Sequence, residues 1–390
     1  MTRKGVWNLQ QVRDKYLQSL WDNSPQLFGW GYNGYGQLGQ NDVANRSSPT
    51  QITGDWSQFS GTSSSHSGQH GIKSDGTLWG WGRNNEGQLG LNNKTSYSSP
   101  VQIPGTTWAK VCSSKDYVIA VKTDGTLWTW GSNGSGMLGQ NQGYSVQYSS
   151  PIQVGGSDDW ATGFAGRDFT LAKKTNGELW AWGSASYGNL AQNDKTSRSS
   201  PVQIPGTWNS IGIGWFGCTA SKTDGTLWSW GYCKHGNLGQ NESSYKSYSS
   251  PTQIPGTTWN QATMNFYTSF ATRTDGTLWS WGYNSAGSSG LLGQNQGQPS
   301  VASTSSPKQV PGTTWNKIEV GTSKMIATKT DGTLWTWGRQ IYGSLGLGEE
   351  NSPSYISSPT QIGSDSTWTS ISNSYFGGYA GKSPLTPSQL

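Results

Sequence analysis

The sequence predicts an all-β protein, a β-propeller of seven blades closed by strands from both ends of the chain. A Trp-Gly pair recurs at intervals of 48 to 56 residues, a period typical of propellers and solenoids. A Ser-Ser-Pro and then a lone Trp follow each pair in the same order. The pairs begin at Trp30, Trp81, Trp130, Trp182, Trp230, Trp281 and Trp337, and the lone tryptophans are Trp56, Trp108, Trp160, Trp208, Trp259, Trp315 and Trp368.

Each repeat also contains a hairpin signal. A short run of small and apolar residues, such as Val118 to Lys122, is assigned as the inner strand and leads into Thr-Asp-Gly-Thr and Leu-Trp-x-Trp-Gly. Asp-Gly between two such runs predicts a type I′ turn, with positive φ at both central residues. In the next strand Trp79 and Trp81 share one face and are expected to be buried between blades. The turns fall at Asp75, Asp124, Asn176, Asp224, Asp275 and Asp331.

The two ends of the chain each supply half of a hairpin. The first Trp-Gly strand, Leu27 to Trp30, has no partner before it, and the last inner strand, Ser374 to Lys382, has none after it. Pairing them closes the ring and removes the free sheet edges that favour aggregation. The sequence therefore predicts an N-terminal segment 1–26, a propeller 27–382 and a tail 383–390.

The strings Trp30–Gly39 and Trp81–Gly90 both end in Gly-Gln-Leu-Gly, and this ending or a close variant returns in every blade. They resemble the signature of the RCC1 repeat family, and the resemblance covers residues 27–382. It implies a seven-bladed propeller. Members of the family serve nucleotide exchange on a small GTPase with chromatin binding, or many unrelated interaction roles.

The start of the inner strand departs from the family pattern. Family repeats usually carry Gly-x-x-His-(Thr/Ser) there, whereas the equivalent stretches read Lys115-Asp116-Tyr117, Arg167-Asp168-Phe169 and Trp215-Phe216-Gly217. The longest extra segment, Ser288–Ser306, is a polar loop and not a wedge-like insertion. These departures disfavour an exchange factor, because a shared fold does not imply a shared function.

The composition disfavours several classes of function. Charged residues make up 12% of the chain, and the net charge of +5 includes no Lys/Arg run, so nucleic-acid binding is not expected. No apolar stretch is long enough to insert into a membrane. His66, His70 and His235 have no third ligand beside them, and no catalytic motif appears. We expect no metal, no cofactor and no enzymatic activity. A carbohydrate-active enzyme would need an acid/base pair, and the sequence offers none.

The positions that vary between blades predict the binding surface. They precede the inner strand or follow the Trp-Gly pair, and a hairpin brings both sets to one end of the blade. Exposed aromatics with scattered Arg are typical of recognition surfaces. Alternatively, these side chains fill the top of the central channel. The predicted face comprises Tyr32, Arg83, Tyr117, Arg167, Phe169, Trp215, Phe216, Tyr232, Phe266, Tyr267, Tyr283, Arg339, Tyr375 and Phe376.

The N-terminal segment predicts a short amphipathic helix. Asn8 and Gln11 resemble a capping box, and apolar residues follow at helical spacing. Such a helix is marginal alone and must pack on a partner or on its own propeller. The stretch Lys4–Lys15 resembles the leader of structural proteins of marine tailed phages, which implies an anchor to other virion proteins. The anchor residues are Trp7, Leu9, Val12, Tyr16 and Leu20.

These observations favour a non-enzymatic virion structural or host-recognition protein of a tailed phage. Segment 1–26 is expected to bind the capsid or tail, and the variable face a host surface glycan or receptor. The alternative is a cytoplasmic RCC1-like adaptor or guanine-nucleotide exchange factor.

Overall fold

The computed structural model describes residues 25–60, 68–142, 146–284, 290–295, 303–349, 355–374 and 376–382. These residues form 28 strands in seven antiparallel sheets of four strands each, and this confirms the predicted seven-bladed propeller. The helix expected in segment 1–26 falls on residues 1–24, which lie outside the described residues, as does the tail 383–390.

Each blade has four strands, counted here from the channel outward. The first strands are β3 (Trp56–Ser60), β7 (Trp108–Ser113), β11 (Trp160–Ala165), β15 (Trp208–Ile213), β19 (Trp259–Met264), β23 (Trp315–Val320) and β27 (Trp368–Asn373). The second strands are β4 (Gly68–Lys73), β8 (Tyr117–Lys122), β12 (Phe169–Lys174), β16 (Gly217–Lys222), β20 (Thr268–Arg273), β24 (Lys324–Lys329) and β28 (Gly377–Lys382).

The third strands carry the Trp-Gly pairs, and the fourth strands carry the Ser-Ser-Pro motifs. The third strands are β1 (Gln26–Gly31), β5 (Leu78–Gly82), β9 (Leu127–Gly131), β13 (Leu179–Gly183), β17 (Leu227–Cys233), β21 (Leu278–Gly282) and β25 (Leu334–Arg339). The fourth strands are β2 (Arg46–Ile52), β6 (Tyr97–Ile103), β10 (Tyr148–Gln153), β14 (Arg198–Ile204), β18 (Lys246–Ile254), β22 (Thr304–Val310) and β26 (Tyr355–Gln361).

Blades 1 to 6 are runs of four consecutive strands that begin at β3, β7, β11, β15, β19 and β23, and blade 7 has the order β2-β1-β28-β27. Each first strand contacts the first strand of the next blade, and β27 contacts β3, so the ring is closed. The sequence placed the inner strand at runs such as Val118–Lys122, which was wrong. That run belongs to the second strand, and the lone Trp begins the strand that lines the channel.

The hairpin turns differ from the predicted type I′. In blade 1 the carbonyl of Lys73 accepts a hydrogen bond from Gly76 N at 2.9 Å, and Lys73 N donates to Thr77 O. Gly76 has φ of +79° while Asp75 does not have a positive φ. This geometry is a type I turn followed by a glycine bulge. The Asp75 carboxylate accepts hydrogen bonds from the Thr77 hydroxyl and amide, which lower its pKa.

The Trp of each Trp-Gly pair joins two blades. Trp81 is buried, and its indole N–H donates to Gln37 O of the preceding blade at 2.7 Å. A buried indole N–H needs such a partner. The same bond recurs at 2.8 to 3.0 Å in the other blades. The acceptors there are the carbonyls of Ser344 for Trp30, Gln88 for Trp130, Met137 for Trp182, Asn189 for Trp230, Asn237 for Trp281 and Leu291 for Trp337.

The other Trp of this strand behaves differently from the prediction. Trp79 is only half-buried. Its ring faces Lys73, whose Nζ lies 3.8 Å from the ring centroid and 5.5 Å from that of Trp56. Cation–π contacts of this kind stabilise a charge at a half-exposed site. An equivalent pair of rings flanks a basic side chain in every blade, at Lys122, Lys174, Lys222, Arg273, Lys329 and Lys382.

Blade 7 confirms the predicted closure. Strands β1 and β28 pair in register from Gln26 opposite Lys382 to Gly31 opposite Gly377. Deletion of residues 368–390 should therefore leave β1 with an open edge and remove the buried Trp368. We expect the truncated protein to aggregate or to lose its cooperative thermal transition, measured by size-exclusion chromatography and circular dichroism.

The matched control is a circular permutant that starts at Trp368 and joins Lys382 to Leu27 through a Thr-Asp-Gly-Thr turn, as Lys122 is joined to Leu127 in blade 2. All its strands remain paired, so it should fold like the native chain. A truncated protein that stays monomeric and melts like the native chain would contradict closure by the C-terminal strands.

A buried lysine provides a second link to blade 7. Lys324 at the start of β24 is fully buried, and its Nζ donates to the carbonyls of Ser374 and Gly377 at 2.6 Å each. Burial lowers its pKa to about 7. The ammonium therefore holds the loop before β28 against blade 6.

Replacing this lysine by methionine tests the link. Lys324→Met should lower the free energy of unfolding by about 1–3 kcal/mol, because the buried carbonyl of Ser374 loses this donor. The carbonyl of Gly377 keeps its hydrogen bonds from Ser374 N and Oγ. Urea unfolding measures the change, with the exposed Lys308→Met as the control, which should stay within about 0.5 kcal/mol of the native value. If both variants are equally stable, the two carbonyl bonds are not needed for closure.

Candidate functional site

The variable positions lie together at one end of the propeller, here called the loop face. In six blades the residue after the Trp-Gly pair donates its backbone N–H to the loop that precedes the second strand of the same blade. Tyr232 N donates to Phe216 O at 2.9 Å and Tyr283 N to Tyr267 O at 2.8 Å. Blades 2, 3, 6 and 7 repeat this bond from Ser132, Ser184, Arg339 and Tyr32.

Nine rings from blades 3, 4 and 5 form one connected surface on the loop face, here called the aromatic patch. Ring centroids of Trp215 and Phe266 lie 3.7 Å apart, and those of Phe266 and Tyr267 lie 4.9 Å apart. All nine rings are at least partly exposed, and Tyr245 is 67% exposed. The patch consists of Tyr187, Trp215, Phe216, Tyr232, His235, Tyr245, Phe266, Tyr267 and Tyr283.

Two basic side chains lie on these rings. The Arg167 guanidinium stands 4.8 Å from the Trp215 centroid and 5.5 Å from that of Phe216, while Arg167 Nε also lies 3.4 Å from the Asp168 carboxylate. Lys234 Nζ lies 4.8 Å from the Tyr267 centroid. Burial and the nearby Lys234 charge lower the pKa of His235, which favours its neutral form. The patch is thus aromatic with a positive margin.

A smaller group of rings occupies the other side of the loop face. Tyr32, Tyr342 and Phe376 lie with centroids 5.2 to 6.2 Å apart. Arg83 in blade 1 lies 3.9 Å from Asp116 in blade 2, and Arg339 is exposed. Tyr375 lies outside the described residues. The predicted set is therefore split between two ring clusters, with charged residues in the blades between them.

Two predicted face residues do not reach the surface. Tyr117 and Phe169 have no exposed area, and the Tyr117 hydroxyl donates to Phe169 O at 2.7 Å between blades 2 and 3. Each begins a second strand instead of ending a loop, so its side chain points into the blade interface. Conversely, Tyr187, His235 and Tyr245 were missed because they lie in longer loops after the third strand.

The central channel opens near the patch. It encloses about 370 Å³ and is lined by all seven first strands. Within the described residues, Trp215 is the member of the patch that also lines this cavity. Channel filling, the alternative interpretation of the aromatics, therefore applies to Trp215 and does not extend to the other rings of the patch.

The residues considered for metal or acid–base chemistry have structural environments. His70 is fully buried, with Nδ1 2.7 Å from Ser113 Oγ and Nε2 3.0 Å from Gln88 O, and burial lowers its pKa to about 3. His66 lies outside the described residues. In the described ranges no three His, Cys, Asp or Glu side chains come together as metal ligands, and no helix there is long and apolar enough to cross a membrane.

Comparison with known proteins places this geometry in a family. The model named Regulator of chromosome condensation (RCC1) repeat matches residues 26–68, 75–121, 124–172 and 331–375, and a second RCC1 model matches residues 163–189. Together they match slightly more than half of the chain.

Individual relatives agree with these matches. The ultraviolet-B receptor UVR8 of Arabidopsis thaliana is 26% identical over 92% of this chain and 83% of its own length. The probable E3 ubiquitin-protein ligase HERC4 of Homo sapiens is 27% identical over 51% of this chain, and the matched region covers only 19% of the length of that ligase.

Solved structures show the same fold. Human WBSCR16 matches with a TM-score of 0.80 at 18% identity, over 93% of this chain and 100% of that one. Prp20p from Saccharomyces cerevisiae gives a TM-score of 0.79 at 18% identity, over 94% and 93%. The matched repeats, the seven closed blades and the Gly-Gln-Leu-Gly-type loop in every blade show that the chain belongs to the RCC1 repeat family.

Proposed function

We propose that this propeller is a non-enzymatic binding protein whose aromatic patch contacts a protein partner. The observation that carries the proposal is the connected surface of nine rings on the loop face. Tyr, Trp, Phe and Arg are enriched at protein interfaces, and they dominate the residues whose truncation weakens binding most. A surface of this kind on a chain with only 12% charged residues is the feature best suited to recognition.

The patch is organised before a partner arrives. Arg167 and Lys234 are held on ring faces, and the loops that carry the rings are tied to the third strands by backbone hydrogen bonds. Binding then costs less side-chain and loop entropy than it would on a mobile surface. The repeat leaves these positions free to differ between blades, so they can be selected for a partner without loss of the fold.

The relatives support partner binding without identifying the partner. Prp20p has binding properties toward Gsp1p and histones, whereas UVR8 is an ultraviolet-B receptor and HERC4 a probable ubiquitin-protein ligase. Because these roles differ on one fold, the partner must be inferred from this chain's own surface. Among cellular roles, an interaction adaptor fits the patch better than nucleotide exchange.

Paired variants on the same face test the proposal. Trp215→Ala, Phe216→Ala and Tyr267→Ala should each weaken partner binding by about 1–3 kcal/mol, as expected for buried ring contacts. The partner is first identified by quantitative affinity capture from source-cell extract as the protein retained by the native chain and absent from a bare-resin control. Titration calorimetry of the purified pair then measures each change.

Two controls separate binding from packing. Tyr342→Ala, in the smaller ring cluster on the opposite side of the face, should leave the affinity unchanged. Trp230→Ala, which empties a buried blade interface, should destabilise the fold by about 3–5 kcal/mol. A triple variant that captures and binds the same partner normally but melts like Trp230→Ala would show that the rings are packing residues.

The virion role is a separate proposal that rests on the leader Lys4–Lys15. Its test is removal of residues 1–24, which stops before β1. The shortened propeller should stay folded, because every described strand is retained, but should no longer join its particle in a co-sedimentation assay. If it instead melts much earlier than the full chain, the segment packs on the propeller and the anchoring proposal fails.

A further inference from the structure

The central channel contains an unpaired carboxylate. Glu319 lies on the first strand of blade 6, and its side chain is accessible from the channel. Among the described residues that line the cavity it is the only Asp, Glu, Lys, Arg or His. The remaining lining consists of Ser, Thr, Asn and Gln, of apolar side chains and of Cys112.

The ring of residues at the level of Glu319 shows how unusual this position is. The pairing of the first with the second strands places one residue of each blade at this level. None of the six equivalents is charged at neutral pH. They are Ser60, Cys112, Phe164, Gly212, Thr263 and Ser372.

No described side chain neutralises Glu319. Asn373 on the neighbouring strand donates its Nδ2 to the backbone carbonyl of Glu319 and not to the carboxylate. Lys317 on the same strand donates to Thr369 O at 2.6 Å. Lys324 on the adjacent strand is bonded to two carbonyls of blade 7.

The strands on either side present no further ionisable group. Neither Trp259–Met264 nor Trp368–Asn373 contains an Asp, Glu, Lys, Arg or His. The thiol of Cys112 faces Glu319 from blade 2. Burial is the main cause that raises the pKa of this thiol to about 11; hydrogen bonds oppose the shift, and the charge of the Glu319 carboxylate adds to it. Surrounding protein raises the pKa of Glu319 to about 7. A cation beside the carboxylate would favour its ionised form.

The lining favours an organic cation over a metal ion. Calcium and magnesium take about six or more oxygen ligands, usually with several carboxylates, whereas one carboxylate is present. Rings of Phe164, at the same level, and Trp215, at the mouth, also line the cavity, and aromatic rings attract ammonium and guanidinium groups. A volume of about 370 Å³ lies within the range of small-ligand sites.

We propose that the channel binds a protonated alkylamine or guanidinium group, with Glu319 as its counter-ion. The group can belong to a free amine or to a Lys or Arg side chain that a partner inserts from the loop face. The proposal does not depend on the aromatic patch, since the carboxylate and its strand belong to blade 6.

Titration calorimetry with the full chain tests the site. 1,4-Diaminobutane is the probe for a free amine. Nα-acetyl-lysine N-methylamide, which keeps its side-chain ammonium, is the probe for a side chain, and 1,4-butanediol is the uncharged control. At pH 8 at least one amine should bind, butanediol should not, and Glu319→Gln should weaken amine binding at least tenfold. The matched variant Glu178→Gln, which removes an acidic side chain on the turn side of blade 3, should bind like the native chain.

The pH dependence provides a second readout. A carboxyl group with a pKa of about 7 is mostly neutral at pH 5.5 and mostly ionised at pH 8, while the amines stay protonated throughout. Affinity should therefore rise roughly 30-fold between these pH values in the native chain, and stay flat in Glu319→Gln. The probe that binds more tightly identifies the source of the cation.

Folding of the variant is checked by melting at pH 8. Glu319 has a higher pKa in the folded than in the unfolded chain, so the folded state loses relative stability as pH rises from about 4.5 to about 7. Glu319→Gln should then melt at or above the native temperature. The proposal is overturned if neither amine binds at 10 mM, if butanediol binds as well as the amines, or if a folded Glu319→Gln retains native affinity.

Discussion

The hydrogen bond between a third-strand indole and the loop of the preceding blade is the interaction on which the propeller depends. It explains the Gly-Gln-Leu-Gly signature in physical terms. Gln37 supplies the accepting carbonyl, Leu38 is fully buried, and Gly39 has φ of +68° with the Trp81 indole 3.1 Å from where a Cβ would stand. A side chain at this positive φ is strained. Blade 3 is the exception, with Ala191 at φ of +59°, and there the Trp230 indole still donates to Asn189 O at 3.0 Å. The Gly-Gln-Leu-Gly signature therefore marks the contact between neighbouring blades.

This contact between blades also accounts for the low content of hydrophobic residues. Each blade contributes a small apolar cluster around a few tryptophans, so only 31% of the chain is hydrophobic. The basic residue at the end of each second strand also repeats in every blade. Lys73 and its equivalents lie between two aromatic rings. Blades 1 to 6 thus repeat an Asp-Gly or Asn-Gly turn, and every blade repeats a basic side chain between two rings, so little of this end is free to change.

The sequence was sufficient to predict the blade number, the closure and the side of the propeller that varies, because all three follow from motif order. It was insufficient for the strand nearest the channel and for residues at the start of a strand. The run Trp56–Ser60 is short and polar, so it did not look like a strand, although it lines the channel. Tyr117 and Phe169 are the first residues of their strands and not the last residues of a loop, and that difference turns their side chains inward. Lys324 occupies the equivalent position and is buried for the same reason.

Function in a repeat of this kind is expected where the sevenfold pattern breaks. Six of seven residues at one channel level are uncharged, and the seventh is Glu319; the blades share one loop geometry, yet rings accumulate on blades 3, 4 and 5. Neither departure is required by the fold, because the other blades form the same four-stranded sheets without these residues. Both departures open toward the loop face, Glu319 through the channel and the rings directly. Selection for binding a ligand or a partner would explain why these residues differ from their equivalents in the other blades.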